Sequence, residues 1–368
     1  MIWLWMGVAA AESWCAGPLV AHEWGVAVLA AEPQTLRPDL PSWLHHEGAG
    51  ASTAEPVRTM APDHGERDLP VVHFYRSQGW SDAVPVAVEV GFARGDATAW
   101  FPAVSSRTPA TQARSAAARA ARERLVAQRA EPGPQGRDLG PDPTRQLHWD
   151  RLVLSSEPLS VLRDPEVGWV TAAREVPEAL WVNGPGESER FLFYEGDTTE
   201  SSALVIERGG THPTDHFVLR NVSAFDVFDV VFVHQGRAWT APRIPAGKTA
   251  GFLLQEAFDP VATRQWLTDR WVDLAGVPAV DWEACVMMRD PALPLEHAQG
   301  HRLFPAELDV LWGAWEGRLL GPQGTRLLYR EAPEALDTVM PISLYTDMFH
   351  DPQLRRLGVV LVPDPPLP

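Results

Sequence analysis

The sequence predicts a β-rich α+β fold, in which two antiparallel β-sandwich-like regions are followed by a smaller α+β segment. The 34 prolines and 28 glycines among 368 residues are typical of many short elements joined by turns. Apolar and polar residues alternate in several runs before residue 256, which is the period of a half-buried strand. After residue 256 apolar residues recur at helical spacing in two segments, and this predicts amphipathic helices beside the last strands.

Composition limits the class of protein and its partners. The chain is 45% hydrophobic and contains 16 tryptophans, enough apolar side chain for a packed core. Its net charge of −17 repels nucleic acid, so we expect no nucleic-acid partner. Cys15 and Cys285 are the two cysteines, and they form neither a disulfide framework nor a CxxC metal or redox motif. No apolar run is long enough to span a bilayer.

The N-terminal residues bear on localisation. Residues 2–11 form a short apolar stretch followed by small residues, a pattern typical of a secretory signal peptide. We therefore expect a signal peptide within residues 1–21 and export to the periplasm, the envelope or the medium. No Lys or Arg precedes the apolar stretch, and a cytoplasmic location follows if the stretch is not a signal.

Residues 22–106 are predicted to form an N-terminal β region. Residues 20–29 alternate so that His22 and Trp24 share one face of a strand, while Glu23 points to the other face. Residues 69–76 and 84–92 read as two further strands. Residues 33–70 are rich in proline, histidine and glycine, which predicts a long irregular surface segment.

The middle and the end of the chain differ in character. Residues 107–146 are predicted to be an insertion, with an Ala/Arg-rich helix over 110–130 and a proline-rich loop after it. Strands resume in a second β region over residues 147–256, including one predicted over 167–174. Residues 257–368 form the predicted α+β segment, with helices over 259–274 and 305–320.

Several phrases in the sequence resemble a family of uncharacterised, mostly exported bacterial proteins. The phrases run nearly from end to end in a fixed order: residues 22–25 (HEWG), 40–43 (LPSW), 69–75, 91–102, 189–196, 324–329 and 340–344. The resemblance implies no activity, because the family has none assigned. This chain departs from the family at polar positions, with His73 where a tyrosine is expected and Glu195 where an arginine is expected.

Candidate catalytic residues lie in the first strands. His22 and Glu23 are neighbours in one strand, and His73 and Tyr75 share a face of another. Histidine suits proton transfer near neutral pH. The competing interpretation is structural, with these side chains hydrogen-bonded inside packed sheets.

Fewer observations support the candidate metal ligands and the candidate ligand-binding residues. The histidines that suit zinc are His22, His45, His46, His64 and His73. Their spacing matches no established metal site, and three of them fall in the irregular segment 33–70. The candidate ligand-binding residues are Trp24, Trp100 and Arg190.

These observations favour a non-enzymatic secreted or envelope-associated protein that binds or assembles with a protein or glycan partner and needs no cofactor. The alternative is a metal-dependent, hydrolytic enzyme that uses His22, Glu23 and His73 with a transition metal. A point where His22, His73 and an acidic side chain all converge, open to a ligand, would favour the enzyme.

Overall fold

A computed structural model describes residues 19–30, 38–46, 64–76, 83–92, 95–105, 146–199, 201–208, 216–277, 300–321, 324–346 and 353–367. The first strands are β1 (Leu19–Val28), β2 (His45–His46), β3 (His64–Arg76), β4 (Ala83–Gly91), β5 (Gly95–Phe101) and β6 (Gln146–Ser155). Helix α1 (Gly168–Arg174) precedes β7 (Trp181–Gly184), β8 (Glu187–Glu189), β9 (Leu192–Thr199), β10 (Leu204–Arg208), β11 (His216–Asn221) and β12 (Val227–His234). Then come β13 (Arg237–Ile244), β14 (Thr249–Leu253), β15 (Glu256–Ala257), α2 (Pro260–Trp271) and α3 (Pro305–Leu319). The chain ends with β16 (Arg326–Glu331), α4 (Pro333–Val339), β17 (Ile342–Thr346) and β18 (Gln353–Pro363).

A ten-stranded sheet organises the fold. Its order is β15-β13-β12-β16-β18-β1-β3-β9-β5-β2, so strands from all three of the predicted segments 22–106, 147–256 and 257–368 lie side by side. The pairing of β1 with β18 is parallel, and the other pairs in this sheet are antiparallel. The predicted β-rich α+β fold class is confirmed.

Both faces of this sheet are covered. Helices α1, α2 and α3 cover one face, with Trp24 of β1 packed in the same core as Trp271, Trp312 and Trp315. A five-stranded sheet (β17-β4-β6-β7-β8) covers one end of the opposite face, and a three-stranded sheet (β10-β11-β14) covers the other end. Two sandwich-like packings thus share one central sheet, because each strand of that sheet alternates its side chains between two apolar layers.

The helices begin where their sequences allow. The side chain of Asp259 accepts hydrogen bonds from the backbone N–H groups of Val261 and Ala262 and so caps α2, as expected of an aspartate before a proline at the first turn.

The strand predicted over residues 167–174 is wrong, since α1 occupies this stretch. Trp169, Val170 and Ala173 are the buried residues of α1, a spacing that fits one face of a helix.

The predicted insertion over residues 107–146, with its Ala/Arg-rich helix over 110–130 and its proline-rich loop, lies outside the described residues except for residue 146. The signal peptide predicted within residues 1–21 also lies mainly outside them, since only its last three residues are described. Among the described residues no helix is both long enough and apolar enough to cross a membrane.

Candidate functional site

Strand pairing brings two of the predicted histidines together. His22 of β1 lies directly opposite His73 of β3 in the antiparallel register. Both side chains point to the helix-covered face. His22 is two residues from Val20 and from Trp24 in β1, so it shares their face of the strand, and both of these residues pack in that core. Each is completely buried. Tyr75 follows on the same face, with its ring centroid 5.1 Å from that of His22.

Glu307 joins the two histidines from above the sheet. It lies in the first turn of α3, and its side chain and that of His22 are 0% exposed. Its Oε2 accepts a hydrogen bond from His22 Nδ1 at 2.6 Å, and it also accepts from the backbone N–H of Phe304 at 2.8 Å. Its Oε1 lies 3.4 Å from Nδ1 of His73. The His–Glu–His cluster, defined as His22, His73 and Glu307, therefore ties α3 to the two central strands.

Hydrogen-bond chemistry fixes where the protons of this cluster lie. His73 Nε2 is 3.2 Å from the carbonyl oxygen of Ala173, which only accepts, so Nε2 carries a hydrogen. Nδ1 of His22 likewise carries the hydrogen that it donates to Glu307. Within the part of the chain that is described, Nε2 of His22 has no hydrogen-bond partner.

The electrostatics of the cluster favour an ionised Glu307. Burial on its own would raise the pKa of Glu307, but the charge and hydrogen bonds of His22, together with those of His73, outweigh it and lower the pKa to about 2. Burial, and then the charge of Glu307, raise the pKa of Tyr75 well above its usual value. The phenol therefore stays protonated beside a buried carboxylate.

Glu23 belongs to a different cluster on the other face of the sheet. Arg356 of β18 binds both carboxylate oxygens, with Nη2 at 2.9 Å from Oε1, and the hydroxyl of Tyr194 donates to Oε1. Arg356 also donates to Asp337 Oδ1 and to the carbonyl of Met340, each at 2.7 Å. Burial on its own would lower the pKa of Arg356, but the charge of the adjacent Glu23 outweighs burial, so the pKa is raised. Glu23 is thus committed to an ion pair beneath the sheet, away from His22.

A shallow recess reaches Glu23 from the surface. It lies where the β1–β3 pairing is interrupted, between Trp24 and Val26 on β1 and between Asp68 and Val71 on β3. The β3–β9 pairing is interrupted in the same part of β3, between Arg67 and Val71. Its lining is apolar apart from Glu23 and comprises Glu23, Gly25, Val26, Pro70, Leu336, Met340, Leu357 and Gly358. Because Arg356 and Tyr194 already bind the carboxylate, this recess presents little unpaired polarity to a ligand.

The histidines of residues 33–70 are scattered, and this stretch is not irregular throughout as predicted, since it contains β2 and the start of β3. His45 Nε2 lies 3.0 Å from both carboxylate oxygens of Glu187, whereas His46 lies 3.3 Å from the carbonyl of Thr98. His64 begins β3, opposite Thr199. Among the described residues, no group of three or more His, Cys, Asp or Glu side chains is arranged to hold a metal ion.

The predicted ligand-binding residues are mostly interior. Trp24 is fully buried and Trp100 is buried. Arg190 donates to the carbonyl of Val176 at 2.8 Å and lies over the ring of Trp181, 5.1 Å from its centroid.

Two partners of the predicted residues were missed by the sequence reasoning. Glu307 sits in the third position of a helix whose start was predicted at Pro305, and a glutamate there often bonds back to the helix start. That signal indicates a cap at this position, but it does not indicate contact with His22. Arg356 lies 333 residues from Glu23, and nothing local in the strand marks it as the partner.

No protein-family model matches the chain, and neither the curated proteins nor the solved structures contain a significant match.

Proposed function

We propose that this chain is a non-enzymatic, exported binding protein that recognises a partner at the cell envelope. The observation that supports this proposal is the complete burial of the candidate catalytic side chains. His22, His73 and Glu307 have no exposed side-chain surface, and they bind one another and the backbone. A reacting group has to touch its substrate, so this arrangement favours a structural role, in which the cluster fastens α3 to the central sheet.

One observation favours a second candidate, a metal-dependent hydrolytic enzyme. Two imidazoles and one carboxylate converge from three elements, the ligand types that zinc prefers. In this candidate Glu307 replaces Glu23, because Glu23 lies on the opposite face and is bound by Arg356. It has two weaknesses. A catalytic metal needs an open coordination position that substrate can reach, whereas this cluster is buried, and no three of the described His, Cys, Asp or Glu side chains are arranged to hold a metal ion.

Metal analysis of the purified full-length protein separates the two candidates. The binding protein should be folded with far less than one equivalent of any transition metal, and a chelator should leave its unfolding midpoint unchanged. The matched variants are Glu307→Gln and Glu316→Gln on the same helix, since Glu316 is 41% exposed and pairs only with Arg264 among the described residues. One equivalent of metal in the native protein and in E316Q, but not in E307Q, would refute the proposal and establish the metal site.

Export is tested separately. Cells that express the full chain are fractionated, and the mass of the intact protein is measured in each fraction. A shortened protein outside the cytoplasm supports export, whereas a full-length protein found only in the cytoplasm contradicts it.

A further inference from the structure

Three polar side chains lie side by side on the outer face of the five-stranded sheet. Glu89 of β4 is paired with Ser343 of β17 on one side and with His148 of β6 on the other. Val88 and Val90, the neighbours of Glu89 in β4, pack in the core against the central sheet. The outer row, defined as Ser343, Glu89 and His148, therefore points away from that core. The outward face of an antiparallel sheet is commonly in contact with water.

The outer row is nevertheless buried. The exposed fractions are 8% for Glu89, 2% for His148 and 6% for Ser343. Farther along the same face of β4, Pro85 is exposed and Ala87 is half-buried. The outer face is thus covered at the Glu89 end and open at the Pro85 end.

Several polar atoms at the covered end have no hydrogen-bond partner in the part of the chain that is described. Nε2 of His148 and Oε1 of Gln146 are both buried and unpaired. Gln146 is two residues from His148 in β6, so the two side chains share the outer face. The carboxylate of Glu89 lies 4.0 Å from Nδ1 of His148, which is too long for a hydrogen bond. Buried polar groups are rarely left unpaired, so we expect the group that covers this end to bind them.

These atoms need a cationic group that donates several hydrogen bonds. The carboxylate of Glu89 and Oε1 of Gln146 only accept, and with the proton of His148 on Nδ1, toward Glu89, Nε2 accepts as well. A guanidinium presents five N–H donors in a planar fork and stays charged when buried. The chain contains one lysine, Lys248, which is exposed directly before β14. The covered end therefore fits the side chain of an arginine.

The sequence supplies arginines beside this place. Residues 106–145 lie outside the described residues, but the residues that flank them are at the outer row. The backbone N–H of Ser105 donates to the carbonyl of His148 at 2.7 Å, and Gln146 follows residue 145. The stretch contains eight arginines against four aspartates and glutamates, in a chain whose net charge is −17. The arginines are Arg107, Arg114, Arg119, Arg122, Arg124, Arg129, Arg137 and Arg145.

We propose that the outer face of the five-stranded sheet is the docking surface for the arginine-rich stretch 107–145, whose guanidinium groups bind Glu89, Gln146 and His148. The short distance along the chain keeps the effective concentration of these arginines at the surface high. The inference gives the basic stretch a partner within its own chain, so its charge is used inside the molecule and not for an external anionic partner. It is independent of the proposed binding function.

Chemical denaturation of four full-length proteins tests the inference. They are the native protein, Gln146→Leu, an arginine-free variant with Arg→Gln at all eight positions, and the combination of the two changes. In the native background Q146L should raise the unfolding equilibrium constant by about 5-fold or more, because it leaves a buried guanidinium donor unpaired. In the arginine-free background Q146L should leave that constant unchanged or lower it, because the oxygen that it removes has no partner there.

Trypsin cleavage gives a second measurement. Trypsin cuts after arginine, and a guanidinium that is bound to the sheet is withheld from it. Glu89→Gln should raise the rate of cleavage within residues 107–145 by about 10-fold or more, because it removes the charge that holds the stretch. Glu157→Gln is the matched control, because Glu157 is an exposed glutamate just after β6, and it should be cleaved like the native protein.

Two outcomes overturn the inference. One is an effect of Q146L that is the same in both backgrounds, since a group other than these arginines would then cover the site. The other is equal cleavage of the native protein and E89Q. Neither measurement depends on metal content or on export, so a failure here leaves the proposed binding function standing.

Discussion

Replacing Glu307 with glutamine tests whether the His–Glu–His cluster stabilises the fold through its charge. The lowering of the Glu307 pKa from 4.5 to about 2 corresponds to about 3 kcal/mol of stability when the carboxylate is ionised. Because the folded-state pKa is depressed, this stability is present above the unfolded pKa of 4.5 and is lost as the pH falls towards 2. Linkage predicts that about 2 kcal/mol is already lost at pH 3.

The assay is chemical denaturation of the native protein and of E307Q at several pH values between 5.5 and 3. At pH 5.5 we expect E307Q to be less stable by about 3 kcal/mol, and we expect the gap to narrow to about 1 kcal/mol at pH 3. Glu316→Gln on the same helix should change stability by about 0.5 kcal/mol or less, as for an exposed ion pair. A difference in stability between the native protein and E307Q that stays constant across this pH range would refute the electrostatic reasoning. The loss would then come from packing and not from the charge of the Glu307 carboxylate.

Two further substitutions test the other close contacts of the central sheet. Arg356→Met should lower the free energy of unfolding by about 3–5 kcal/mol, because it leaves the buried Glu23 without its ion-pair partner; adding Glu23→Gln should recover part of the loss, and simple additivity of the two changes would argue against the pair. Gly358→Ala should destabilise by about 1–3 kcal/mol, because the added Cβ would lie 2.6 Å from Cδ2 of Leu336. Leu336→Ala in the G358A background should cost less than in the native protein, and an equal cost would show that the two side chains do not compete for space.

Much of the fold was accessible from sequence because it depends on local patterns. Helix α3 was predicted over residues 305–320 and observed over Pro305–Leu319, since its proline start and apolar face are both local signals. The two faces of β1 followed from the period of a strand, which separates His22 from Glu23. The strand predicted over 167–174 failed because Trp169 and Val170 favour strands in isolation, while packing against the core selects a helix.

The candidate site was less accessible because it depends on long-range contacts. His22 and His73 were both singled out, but their direct opposition requires the β1–β3 register, which no local signal specifies. Glu307 reaches His22 across 285 residues of sequence. Periodicity indicates which face of an element is buried, but it does not indicate which charged residue on a distant element shares that interior.

The parallel pairing of β1 with β18 has a consequence for how the protein reaches its native state. Val20 pairs with Gln353, and Val28 pairs with Leu361, so the central pairing of the ten-stranded sheet joins residues 333 positions apart in the sequence. A chain emerging from the ribosome would carry β1 without this neighbour until β18, Gln353–Pro363, had been translated. Such non-local closure is slow, and it leaves an apolar strand uncovered in the meantime. We therefore expect the nascent chain to depend on chaperones, and we expect deletion of β18 to be as damaging as deletion of β1.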